Sequence, residues 1–199
     1  MTALYHGAQT REDGQTREDG PLAAPWSPTL RALWDRVAAH DFDPDHPLGF
    51  AKRLARDKGW TPGFARTAIA EYRRFCFLAC AGHGPMTPSE EVDEVWHQHL
   101  TYTRDYWDIW CAKVLRGPLH HDPTLGGPAE QTKFRAQYAA TLKIYEVYFG
   151  PPPAIVWPAT HVRFGNGPAY RTVEAGRWLL VPHPRRLWRA IEGVLERCR

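Results

Sequence analysis

Two residue pairs, Ser27-Pro28 and Thr61-Pro62, each stand directly before a stretch whose apolar residues recur at helical spacing. A Ser or Thr side chain can accept a backbone N–H left free in the first turn of a helix, and proline's fixed φ suits the first helical position. These starts therefore commit the chain to helices. After Pro28 the stripe is Leu30, Leu33, Trp34 and Val37, and it breaks at Asp41-Phe42-Asp43-Pro44-Asp45. A short helix is expected through Phe50, Leu54 and Ala55, ending near Gly59. After Pro62 the apolar set is Phe64, Ile69, Tyr72, Phe75, Cys76 and Ala79, up to Gly82-His83-Gly84-Pro85. It covers more than one face, as expected of a central helix.

A fourth helix is expected from Pro88-Ser89-Glu90-Glu91 to about Leu115, with acidic residues in its first turn favoured by the helix dipole. Its stripe is Val92, Val95, Trp96, Tyr106 and Trp110. The loop from Arg116 to Gly127 follows, then a fifth helix from about Pro128 to Phe149, cut off by Pro151-Pro152-Pro153. The predicted fold class is mainly α, a bundle of about five to six helices with a small irregular or hairpin C-terminal segment. At 199 residues one domain is expected, and 43% hydrophobic residues suffice for a sizeable core. Nine Trp, eight Tyr and eight Phe supply large rings to fill the space between helices.

The ends read differently. Residues 1–25 are expected to be a disordered tail, since Gln9-Thr10-Arg11-Glu12-Asp13-Gly14 repeats at once as Gln15-Thr16-Arg17-Glu18-Asp19-Gly20 and offers nothing to bury. Residues 26–158 form the expected helical core domain, and 159–199 a C-terminal extension packed on it. Within that extension Tyr170–Val173 and Arg177–Val181 can pair as a hairpin, and a helix from about Pro184 carries Leu187, Ile191, Val194 and Leu195 on one stripe.

Charge and cysteines exclude several classes. Net charge is +3, without the clustered basic face of a non-specific DNA binder. Arg185, Arg186, Arg189 and Arg197 flank the last helix, which reads more readily as a docked surface helix than as an RNA site. Cys76, Cys80, Cys111 and Cys198 show no disulfide-framework spacing, and reduced thiols are expected. No apolar run reaches the roughly 18 residues a membrane span needs, and no secretory signal is visible, so a cytoplasmic location is expected. Walker, dinucleotide-glycine and nucleophile-elbow motifs are missing.

What stands out is histidine. Trp96-His97-Gln98-His99 lies on the fourth helix and His120-His121-Asp122 in the loop after it. Residues four apart on a helix differ by only about 40° around the axis, so Asp93 and His97 share a face. His97 and His99 are about 200° apart and cannot chelate one ion from a regular helix. His97 is the expected ligand beside Asp93, and His99 the buried partner on the apolar stripe. The following loop is punctuated by glycine and proline and can fold back to add His120 or His121. Asp93, His97, His99, His120 and His121 are thus the candidate metal residues. Two histidines and a carboxylate suit a divalent ion: Fe, Mn or Zn. Cys76 and Cys80 with His83 form a weaker alternative set; small buried core residues are the better reading. The structural reading of the histidines is that each is a hydrogen-bonded core or turn residue.

The run Val92-Asp93-Glu94-Val95-Trp96-His97-Gln98-His99, followed by Tyr102 or Tyr106, then Gly117 and His121-Asp122, resembles the signature of the glycine-rich-domain-containing protein-like family. Plant and fungal members carry V/L-D-x-x-W-H-x-H and a later H-D. Ala70-Glu71-Tyr72-Arg73-Arg74-Phe75 looks like the helix before that signature in bacterial members. The resemblance spans about residues 28–158. Asp93, Trp96, His97, His99 and His121 match the motif residue by residue, and His120 is an additional neighbour. The resemblance implies a domain without an assigned activity. Plant members are linked to stress and developmental responses and to a suggested RNA-binding segment. This chain has neither a glycine-rich tail nor an aromatic RNA-recognition strand, so that role carries over poorly.

Two functions of different classes follow. One is a metal-binding helical domain, extending to a metal-dependent enzyme acting on a small molecule or peptide. The other is a non-catalytic protein-interaction module with structural histidines. Weak RNA binding ranks third, and no membrane partner is expected.

Overall fold

The computed structural model describes residues 2–4, 26–42 and 48–165. The chain there is mainly helical: α1 (Pro28–Ala39), α2 (Phe50–Lys58), α3 (Pro62–Cys80), α4 (Glu90–Thr101), α5 (Asp105–Leu115), α6 (Pro128–Phe149) and α7 (Thr160–Arg163). Two three-residue strands, β1 (Thr2–Leu4) and β2 (His120–Asp122), pair antiparallel with Ala3 opposite His121. Thr2–Leu4 belong to the segment expected as a disordered tail. The tandem repeat lies outside the described residues, as do the expected hairpin and basic last helix of the C-terminal extension.

The helix starts follow from their caps. Ser27, Thr61 and Ser89 each accept a backbone N–H three residues on, from Leu30, Phe64 and Val92, all at 3.2 Å. Each bond satisfies one of the donors that a helix leaves free in its first turn. At the other end of α2, Gly59 sits at φ 65, where its N–H reaches back to the Ala55 and Arg56 carbonyls.

Helix α3 is the central element and packs against α1, α2, α4 and α6. Its Tyr72, Phe75, Phe77 and Leu78 are fully buried, with Trp96, Tyr106, Trp110 and Tyr138 among their neighbours in one core. A buried carboxylate ties the far side together. Glu71 Oε2 accepts from the Tyr145 hydroxyl (2.7 Å) and Trp157 Nε1 (2.9 Å), while Arg74 holds Oε1 at 2.7 Å. Four donors and acceptors on α3, on α6 and in the segment after it thus satisfy one another inside the protein, which is what burial of a charge requires. Among the described residues no helix is long and apolar enough to cross a membrane.

The continuous helix expected from Ser89 to Leu115 is two helices. α4 ends at Tyr102, whose backbone (φ −89, ψ 59) leaves the helical region, and α5 is wound with π-type turns. The Thr101 hydroxyl donates to the Gln98 carbonyl at 2.6 Å, drawing on an acceptor at the helix end. The break also redirects Asp105. Six residues of regular helix would place it about 240° around the axis from His99. Here it meets the His99 ring directly, at 2.8 Å. The helix therefore yields where a buried histidine gains a carboxylate partner.

Candidate metal centre

Helix α4 carries the first group. Trp96 is fully buried and anchors the helix: its Nε1 donates to the Tyr106 hydroxyl at 2.8 Å, and that hydroxyl in turn donates to the Leu119 carbonyl. Between those two contacts the chain reverses at Arg116, the one described non-glycine residue with positive φ (60), whose N–H returns to the Cys111 carbonyl. The reversal and the Tyr106 bond bring β2 back beside α4.

His121 then stands edge-on to Trp96, with ring centroids 4.4 Å apart, and 4.6 Å from the His97 ring. Its Nε2 lies 2.8 Å from Asp93 Oδ1, and His97 Nε2 lies 3.9 Å from Asp93 Oδ2. One ligand atom from each of Asp93, His97 and His121 falls within 4.8 Å of the other two. The Asp93 and His121 side chains are largely enclosed, whereas His97 opens to solvent. Glu94, 3.9 Å from His97 Nδ1, does most to raise the proton affinity of His97, and Asp93 adds to it. At that distance the Glu94 contact is an ion pair rather than a hydrogen bond. Glu94 is itself held below the usual carboxylate range, by His97 first and then by Lys58, with which it pairs.

His99, two residues beyond His97, faces the interior and is fully buried. Its Nδ1 lies 2.9 Å from the Tyr72 hydroxyl and its Nε2 2.8 Å from Asp105 Oδ2, which His40 Nε2 also approaches at 3.1 Å. The Asp105 carboxylate can only accept, so Nε2 carries the ring proton and, in the neutral imidazole, Nδ1 accepts from the Tyr72 hydroxyl. The Nε2–H then donates to Asp105, which fixes the neutral tautomer of His99. Burial lowers the proton affinity of His99, and the Asp105 contact only partly offsets this. His40, His99 and Asp105 form the second group able to offer three converging ligand atoms among the described residues.

Of the five residues singled out in the sequence, Asp93, His97 and His121 come together, and His99 belongs to the second group. His120 joins neither: it is exposed, with its ring 5.7 Å from that of Trp107. Sequence reasoning missed His40 and Asp105. Asp105 sat in plain view six residues after His99, but regular helical geometry pointed it elsewhere. His40 follows the last turn of α1, 65 residues from its partner, and nothing local marks it. The Cys76, Cys80 and His83 set is not a site. Cys76 lies in the core, and burial pushes the Cys80 thiol up to about 12. His83 Nε2 pairs with the Tyr148 hydroxyl at 2.8 Å.

No family model, curated protein or solved structure matches the chain.

Proposed function

We propose that this protein binds a divalent transition-metal ion through Asp93, His97 and His121, and that it is a metal-dependent enzyme acting on a small molecule or peptide. The observation that carries the reading is the convergence of those three side chains from α4 and β2, each with a ligand atom within 4.8 Å of the others. Donors around a single ion at about 2.0–2.2 Å stand some 3 Å apart; His121 and Asp93 already stand at 2.8 Å, and His97, 3.9 Å from Asp93, would close in by about 1 Å. Two imidazoles and one carboxylate suit Fe(II), Mn(II) or Zn(II). When bound, such an ion would act as a Lewis acid and lower the pKa of a coordinated water.

The surrounding residues support a held site. Trp96 packs on His121, and Tyr106 fixes both Trp96 and the strand that carries His121. Three protein donors leave coordination positions for water or a substrate atom, the pattern of catalytic rather than structural sites. His97 is the most exposed of the three side chains, so an ion held there would be reachable from solvent. The signature residues Asp93, Trp96, His97, His99 and His121 also lead us to propose membership of the glycine-rich-domain-containing protein-like family, and the free Cys76, Cys80 and Cys111 support a cytoplasmic location.

The 2.8 Å contact between His121 and Asp93 also favours a second reading, in which the pair is a structural hydrogen bond of an interaction module. Elemental analysis of tag-free protein, followed by thermal unfolding with added Zn(II), Mn(II) or Fe(II), separates the two. The metal reading expects bound metal and a raised melting temperature, both diminished in Asp93→Asn and His97→Ala. Metal-free protein that gains no stability from any of the three ions supports the interaction module.

A further inference from the structure

We propose that His40, His99 and Asp105 form a second divalent-metal site, separate from the Asp93, His97 and His121 centre, with its accessible side on the cavity below α2.

Three elements build it. His40 follows α1, His99 comes from α4 and Asp105 opens α5. Both histidines turn Nε2 to the same carboxylate oxygen, at 3.1 and 2.8 Å, and the three ligand atoms lie within 4.8 Å of one another. This is again two imidazoles and one carboxylate, the donor set that suits Fe(II), Mn(II) or Zn(II).

The supports are those of a ligating histidine. A metal-bound imidazole uses its other nitrogen on a fixed polar group, which sets the ring's orientation. His99 has such a partner in the Tyr72 hydroxyl, buried in the core at 2.9 Å from Nδ1; with a metal on Nε2 the ring proton moves to Nδ1, and the hydroxyl turns from donor to acceptor. His40 is positioned through its backbone, whose carbonyl accepts from Arg73 Nη2 at 2.8 Å, and its ring packs on Phe42 and Trp110. Asp105 reaches the site only because α4 breaks at Tyr102 and α5 is wound in π-type turns. Such turns are uncommon and concentrate at functional sites.

The site also has access. Asp105 lines a cavity of about 290 Å³ whose walls include Asp41, Phe42, Phe50, Tyr102 and Ile109. The Asp105 carboxylate on this wall favours a cation, and the apolar rings around it would hold a small, largely apolar molecule that offers the ion one oxygen donor.

The test is metal stoichiometry on the full chain, freed of any tag and stripped of metal. The probe is Zn(II), measured by calorimetric titration and by zinc content after gel filtration. The wild type is expected to bind two equivalents. His97→Ala, which leaves this site intact, should retain one, and Asp105→Asn and His40→Gln should each retain one. The double variant His97→Ala/Asp105→Asn should retain none. Circular dichroism checks that each variant keeps its helices. A wild type that binds one equivalent, lost in His97→Ala, overturns the second site and leaves the first standing. One equivalent kept in His97→Ala and lost in Asp105→Asn supports the second site and removes the first. A wild type that binds no zinc overturns both. Should the Asp105 and His40 variants fail to fold, the wild-type and His97→Ala stoichiometries still decide the question.

Discussion

His121 Nε2 lies 2.8 Å from the Asp93 carboxylate across 28 residues of chain. The contact joins a helix to a strand that follows the next helix. It therefore exists only if the chain between them folds back. What enforces the return is the Tyr106 hydroxyl, which accepts from Trp96 on α4 and donates to the Leu119 carbonyl just before β2.

Tyr106→Phe removes both partners at once and leaves the indole N–H and a carbonyl buried without a bond. The expected loss is about 1–3 kcal/mol in stability. Metal affinity should fall as well, because His121 loses its tether. Urea unfolding and zinc titration of the variant check both expectations. Unchanged stability together with unchanged affinity would show that β2 is held by other means.

Trp96→Ala should cost about 3–5 kcal/mol, the usual range for deleting a fully buried large ring. Chemical denaturation measures it. A cost under about 1 kcal/mol would mean that the core closes over the gap.

Acid should weaken the fold through His99. Its proton affinity in the folded protein lies below the ordinary value of 6.5, with burial the main cause. The unfolded chain therefore binds the proton more readily, so stability from this residue is complete above about pH 6.5 and is lost as pH falls below it. Asp105, also held low, adds a loss at still lower pH, beneath its ordinary 3.8. His97 acts in the opposite sense, its raised affinity favouring the fold at low pH. With its side chain 36% exposed, solvent screening leaves that contribution small. Melting temperature in the presence of a chelator should thus drop between pH 7.5 and 5.5, and the drop should shrink in His99→Gln. A flat profile would contradict the neutral, buried tautomer.

The thiols give an independent check on the core. Cys76 and Cys111 are buried, and burial pushes the Cys80 thiol up to about 12, far from the reactive thiolate. In a Cys198→Ser background, a disulfide reagent at pH 8 should react slowly with the native protein and fully after denaturation. Fast labelling of any of the three in the native state would show that α3 and α5 open readily.

Much of the scaffold was legible because it is local. Ser27, Thr61 and Ser89 announce helix starts through bonds three residues long, and Gly59 announces an end. The shared face of Asp93 and His97 follows from four-residue spacing alone. The break at Tyr102 was not legible, because Tyr106 and Trp110 continue an apolar stripe and no proline or glycine interrupts it. Its cause is tertiary: Asp105 turns toward two histidines on other elements, His99 on α4 and His40 after α1. Nor could the sequence choose between His120 and His121. Successive strand residues face opposite ways, so the pairing of β2 decides that His121 meets Trp96 while His120 meets Trp107.

The proposed metal ion lies among Asp93, His97 and His121. Anomalous diffraction at the zinc edge, from crystals of tag-free protein grown with Zn(II), tests it most directly. The expected result is a peak between these three side chains, about 2.0–2.2 Å from a nitrogen of each histidine and from an Asp93 oxygen. Saturating zinc with no peak there, and His121 still hydrogen-bonded to Asp93, would contradict it.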